Sequence, residues 1–282
     1  MSEREGVLPN APLVYALSVL RFSTVLLMPK LIPTIQHEIR KILPEFFQMT
    51  KGPGPGISVP QAGEPNSWAF LDRDLEYACV LANDHLILQS VGYLHFDRHV
   101  ELFRSCVDAV QSATDGLDVL GMGMRYVDKI EPVEGERLQD YLPEALLPLE
   151  NEAIAGIGHG VGKPPLGVST TTYYFDPQFL HIRCWRQPGM WVPDDIVEPA
   201  MVFEIAKQSR AGGQRFSQNT LAFTQLSDNG ALLDTDAYWP LPVSERLTTQ
   251  DIVERLGHLH SMANTAFRSV ATEYAFNVWN GK

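Results

Sequence analysis

Leu120-Gly-Met-Gly-Met-Arg-Tyr-Val-Asp-Lys-Ile-Glu-Pro132 is the stretch on which the fold turns. It reads as a strand that closes one half of the chain and hands over to the next. Arg125, Val127 and Lys129 alternate with Tyr126, Asp128 and Ile130, the two-residue period of extended backbone. Gly121 and Gly123 leave room for a neighbour's backbone or side chain, and Pro132 ends the pairing.

Working back from it, a helix from about Asp97 buries Val100, Phe103, Val107 and Val110 at helical spacing, with Asp97 as its cap. Ser67–Leu71, Tyr77–Ala82 and Leu86–Val91 read as short strands, turned at Arg73-Asp74 and Asn83-Asp84. Lys51–Asn66 is rich in proline and glycine and reads as a long loop. Leu31–Phe47 has helical spacing in Ile35, Ile39, Ile42 and Phe46. Pro12–Phe22 is apolar on both alternating faces, as in a central strand covered on both sides. The order strand, helix, three strands, helix, strand predicts a ferredoxin-like α+β half with one extra strand.

Working forward, Val133–Glu150 is an acidic connector, and residues 133–167 separate a first half, 1–132, from a second, 168–282. Val168–Phe175 and Phe179–Arg186 flank Asp176-Pro177-Gln178 as a hairpin. Val202–Lys207, Thr220–Leu226 and Ala231–Asp236 are further strand candidates. Thr248 caps the strongest helix, whose stripe runs Ile252, Leu256, Leu259, Ala263, Ala266, Val270, Tyr274. The second half is therefore expected to be an antiparallel sheet covered by a long C-terminal helix.

Composition narrows function. A net charge of −12 with no basic run opposes binding to a phosphate backbone. No apolar run approaches the ~18 residues of a membrane span, and the first residues lack signal-peptide organisation. Cys79, Cys106 and Cys184 are too few and scattered for a disulfide framework or zinc site, so they read as buried small side chains in a reducing cytosol.

Four segments carry a resemblance: Leu8-Pro-Asn-Ala-Pro-Leu-Val-Tyr-Ala-Leu with Leu20-Arg-Phe, Gly123-Met-Arg-Tyr-Val-Asp, Leu232-Leu-Asp-Thr-Asp, and Leu259-His-Ser-Met-Ala-Asn-Thr-Ala-Phe. In this order they resemble an uncharacterised, sporadically distributed bacterial protein family. The resemblance implies no known activity, catalytic residue or cofactor. Its patchy occurrence implies an accessory role in competition or defence.

Each candidate chemistry has a plainer reading. Gly156-Ile-Gly-His-Gly-Val-Gly-Lys fails the phosphate-loop spacing, has Pro164 where magnesium needs Ser or Thr, and reads as a turn. His95 and His99 have metal-ligand spacing, but the helix starts between them, leaving two half-exposed histidines. His258 and His260 lie on opposite sides of their helix. Asp234 and Asp236 project to one side as a solvated strand end, with no third ligand spaced to join them. The sequence thus offers no catalytic residue, metal site or cofactor.

The expected function is a cytoplasmic binding or accessory protein working through a protein partner or self-association. If Asp176-Pro177-Gln178 is a three-residue loop, Tyr173 faces His181, Thr171 faces Arg183 and Ser169 faces Trp185. Tyr173, His181, Arg183 and Trp185 would then form the partner-binding face, of the aromatic and arginine composition found at interface hot spots. The rival expectation is an enzyme or small-molecule sensor, its ligand held between the halves under the 51–66 loop.

Overall fold

The computed structural model describes residues 8–51, 57–58, 67–149, 166–186, 194–211 and 225–282. Their strands are β1 (Leu13–Phe22), β2 (Glu45–Lys51), β3 (Ile57–Ser58), β4 (Ser67–Leu71), β5 (Tyr77–Ala82), β6 (His85–Ser90), β7 (Asp118–Ile130), β8 (Gly167–Phe175), β9 (Gln178–Arg186) and β10 (Ala231–Arg246). The helices are α1 (Met28–Ile39), α2 (Phe96–Thr114), α3 (Leu138–Tyr141), α4 (Asp194–Arg210), α5 (Thr249–Val270) and α6 (Glu273–Trp279).

The strands join into one ten-stranded sheet in the order β3-β2-β4-β5-β6-β1-β7-β10-β9-β8. From β1 the chain crosses by α1 to β2, then meanders back through β4, β5 and β6 to pair antiparallel with β1. Helix α2 carries it to β7 on the other side of β1. This is the ferredoxin-like split order, with its meander lengthened. Strand β7 then pairs with β10, so the sheet continues from the first half into the second without an edge. The fold is α+β, and the long C-terminal helix packs on the sheet.

Two apolar layers follow from the alternation of each strand. On one face, Leu20, Phe22, Met122, Met124 and Leu233 meet α1, α2, α5 and α6. On the other, Tyr15, Leu17, Val80 and Val127 meet Ala200, Phe203 and Ala206 of α4. Strand β1, between β6 and β7, is covered on both faces, as its unbroken apolar character requires. All three cysteines are buried and unbridged.

Several local expectations change. The helix expected over residues 31–47 ends at Ile39, and Glu45–Lys51 becomes β2. Pro44 lacks the N–H a helix needs and disfavours helical backbone at Leu43. Phe46 instead lies opposite Phe70 in the β2–β4 pairing, their ring centroids 5.3 Å apart. Val202–Lys207, expected as a strand, lies inside α4. Helix α4 buries Ala200, Val202, Phe203 and Ala206, and the six residues Val202–Lys207 alone are too few to tell helical spacing from alternation. The connector buries Leu138, Tyr141 and Leu142, and Tyr141 packs edge-on to Tyr274 of α6. Tyr274 itself is exposed and belongs to α6, past the end of α5. The Lys51–Asn66 loop beyond the short β2–β3 pairing, the Gly156–Lys163 turn, and the first part of Thr220–Leu226 lie outside the described residues.

Helix α5 begins where its sequence says. The Thr248 side chain accepts from the Asp251 N–H while Asp251 accepts from the Thr248 N–H, a reciprocal cap. Phe267, on its buried side, stacks on Trp279 of α6 at 5.4 Å.

Candidate functional site

Gly121 and Gly123 place the first part of the site. A β-carbon on Gly121 would fall on the Tyr238 hydroxyl, and one on Gly123 would lie 3.0 Å from the Tyr238 ring. Tyr238 of β10 therefore lies flat over β7 because both positions lack a side chain. Beside it, Phe179 packs on Tyr238 at 5.2 Å and on His181 at 5.0 Å.

Next to these rings lies a charged cluster on the same side of the sheet. Arg125 donates from Nε and Nη2 to the two carboxylate oxygens of Asp234, each at 2.7 Å. Arg183 lies directly opposite Asp234 in the β9–β10 pairing. Its Nε is 3.0 Å from Asp234 Oδ2, unaligned for a hydrogen bond, while its Nη2 donates to Asp236 Oδ2 at 3.0 Å. Asp234 and Asp236 do project to one side, but they are not a solvated strand end. Asp234 is fully buried, and arginines occupy the positions a cation would take. Asp128, also buried, has its carboxyl pushed up to about 8 by burial and then by Asp234. It is mostly protonated at neutral pH. His181 hydrogen-bonds Thr172 at 2.8 Å, and burial followed by Arg183 pushes its pKa down, so it is neutral there.

The hairpin corrects the expected binding face. Asp176-Pro177 forms a two-residue connection with a cis peptide, and Phe175 pairs with Gln178. Every partner on β8 shifts by one residue: Thr172 faces His181, Thr170 faces Arg183 and Val168 faces Trp185. Because side chains alternate, this one-residue shift puts Tyr173 opposite Leu180, on the other face from His181, Arg183 and Trp185. Arg183 is committed to the two aspartates. Trp185 packs against the α4 layer, its Nε1 buried and lacking an acceptor among the described residues. What the hairpin exposes is its outer strand. Tyr174 is 82% exposed, and Val168, Tyr173 and Phe175 are exposed beside it.

A second polar group, between the sheet and α2, was not legible in the sequence. His99 is fully buried, not half-exposed, because it falls on the stripe His99, Phe103, Cys106, Val110. Its Nε2 lies 2.7 Å from Ser18 Oγ, and Ser18 donates to Met124 Sδ at 3.0 Å. Nδ1 has no partner among the described residues, which favours the tautomer that donates from Nε2 and leaves only a lone pair unmet. A serine and histidine at this distance suggest a nucleophile and base. Yet both are sealed from solvent, and burial pushes the His99 pKa down to about 3, too low for a useful base at neutral pH. Nearby, His260 stacks on Phe96 at 3.9 Å and meets the Tyr126 hydroxyl at 2.6 Å. His258 lies apart, edge-on to Trp239, and His95 precedes α2 in extended backbone. Among the described residues, no group of three or more His, Cys, Asp or Glu side chains is placed to hold a metal ion. Within them, too, no helix is long and apolar enough to cross a membrane.

Comparison with known proteins adds no relative, since the chain matches no family model and no curated protein.

Proposed function

We propose that this chain is a binding protein whose working surface is the outer side of β8, where an extended protein segment is added as a further strand. The observation that carries the reading is β8 itself, Gly167-Val-Ser-Thr-Thr-Thr-Tyr-Tyr-Phe175, nine residues long with no charge and no proline. Sheet edges are normally blunted by lysine, proline or brevity, because bare N–H and C=O groups recruit other strands. None of these devices is present here, and the exposed rings supply the side-chain contacts that strand addition uses for specificity. Buried, unbridged cysteines suit a reducing compartment such as the bacterial cytoplasm, and the accessory role implied by the resemblance fits a protein that works by docking.

The test is affinity capture with wild-type protein and with Tyr174→Lys, a substitution at an exposed position that should move stability by no more than about 0.5 kcal/mol. The wild type should retain its bound protein and the variant should lose it, with both melting alike. Equal capture by the two would refute the reading.

A further inference from the structure

We infer that the segment added to β8 is the β8 strand of a second copy of this chain, related by a two-fold axis through Thr171. The inference rests on the reading of β8 as the working edge.

In an antiparallel pair, directly opposed side chains share a face. A two-fold axis perpendicular to the sheet must therefore pass through a residue position. Thr171 is the centre of the nine residues of β8, so an axis there pairs the whole strand with itself. Thr170 then faces Thr172, Ser169 faces Tyr173, Val168 faces Tyr174 and Gly167 faces Phe175. These are the pairings that stabilise sheets: threonine with threonine, and an aromatic ring with a β-branched neighbour. The Phe175 ring meets the residue with no side chain, beside Pro148, which packs on Gly167.

The distribution of exposed apolar groups favours the same occupant. Of the thirteen large apolar side chains exposed among the described residues, Leu166, Val168, Tyr173, Tyr174 and Phe175 fall within one ten-residue stretch. A two-fold pairing would cover this stretch on both copies at once. Each copy carries −12, which by itself opposes association, but β8 adds no local like-charge repulsion to a contact between two copies. It offers no charged group by which to select a foreign acidic or basic partner.

The experiment uses the full chain in sedimentation velocity over a dilution series, together with single cysteine variants under mild oxidation with diamide. The three native cysteines are buried and should not react. The wild type should sediment at twice its 31.5 kDa. Thr171→Cys should cross-link rapidly, because opposed β-carbons at the axis lie about 4.5–5.5 Å apart. Thr170→Cys should cross-link poorly, because each copy of it is offset by two residues from its equivalent, beyond disulfide reach. Thr171→Lys, which sets two like charges face to face, should sediment as a monomer that still unfolds in one cooperative transition. A wild type that stays monomeric at every concentration overturns the inference. So does a dimer in which Thr171→Cys cross-links no better than Thr170→Cys. Should that monomer still hold a foreign protein that Tyr174→Lys releases, strand addition at β8 stands and only the second copy is refuted.

Discussion

Arg125 lies directly opposite Asp236 in the β7–β10 pairing, yet its guanidinium reaches diagonally to grip Asp234 through both carboxylate oxygens at 2.7 Å. Arg183, directly opposite Asp234 on β9, contacts both aspartates. Three neighbouring strands are thus tied by charge on the face that carries α4. Asp234→Ala would leave two arginines without their shared anion, and removing one partner of a buried pair costs about 3–5 kcal/mol. Urea unfolding should register a loss of that size. A loss below ~1 kcal/mol would mean that water replaces the carboxylate.

Asp128 sets a pH dependence of its own. Its folded pKa of about 8 lies above its ordinary 3.8, so the proton is held more tightly in the folded state. The stability it contributes is complete below pH 3.8 and is lost as the pH rises through about 8. Asp128→Asn, which cannot ionise, should gain on the wild type across that window. Unfolding curves at several pH values check this, and a pH-independent difference would contradict it.

His99 acts in the opposite direction. Burial holds its pKa at about 3 against the ordinary 6.5, so the fold favours the neutral ring. The contribution is complete above pH 6.5 and is lost as the pH falls towards 3. His99→Gln keeps a donor towards Ser18 without a titrating group, and its stability should fall less steeply on acidification. Parallel acid-unfolding profiles would exclude His99 as the source.

Phe267 tests the packing of the C-terminal helix. It is 9% exposed and stacks on Trp279, so Phe267→Ala should cost about 3–5 kcal/mol in urea unfolding. A cost below ~1 kcal/mol would show that α6 closes over the gap.

The sequence carried the elements whose signals are local. Alternation marked β1 and β7, turn residues marked off β4, β5 and β6, the Thr248–Asp251 cap marked α5, and the glycine pair announced the close approach that Tyr238 makes. Elements decided by distant partners were not legible. The run Val202–Lys207 needed the α4 side of the sheet to declare itself helical, and Phe46 needed Phe70. The hairpin register hung on whether Gln178 belonged to the loop, and that single residue moved Tyr173 to the other face. The Arg125–Asp234 pair joins positions 109 residues apart, so no window of sequence contains it. Nothing local to Asp234 and Asp236 distinguishes them from a solvated strand end, because the arginines that pair with them come from other strands.

The proposed pairing at the edge of β8 is tested most directly by hydrogen–deuterium exchange of the 167–175 amides, followed at high and low protein concentration. An unpaired edge exposes alternate N–H groups to water, whereas an added strand hydrogen-bonds them. The account predicts that the outward amides of β8 exchange slowly in concentrated protein and fast on dilution, while the amides of central strand β1 stay protected throughout. Fast exchange along β8 at every concentration, with or without captured protein, would contradict it.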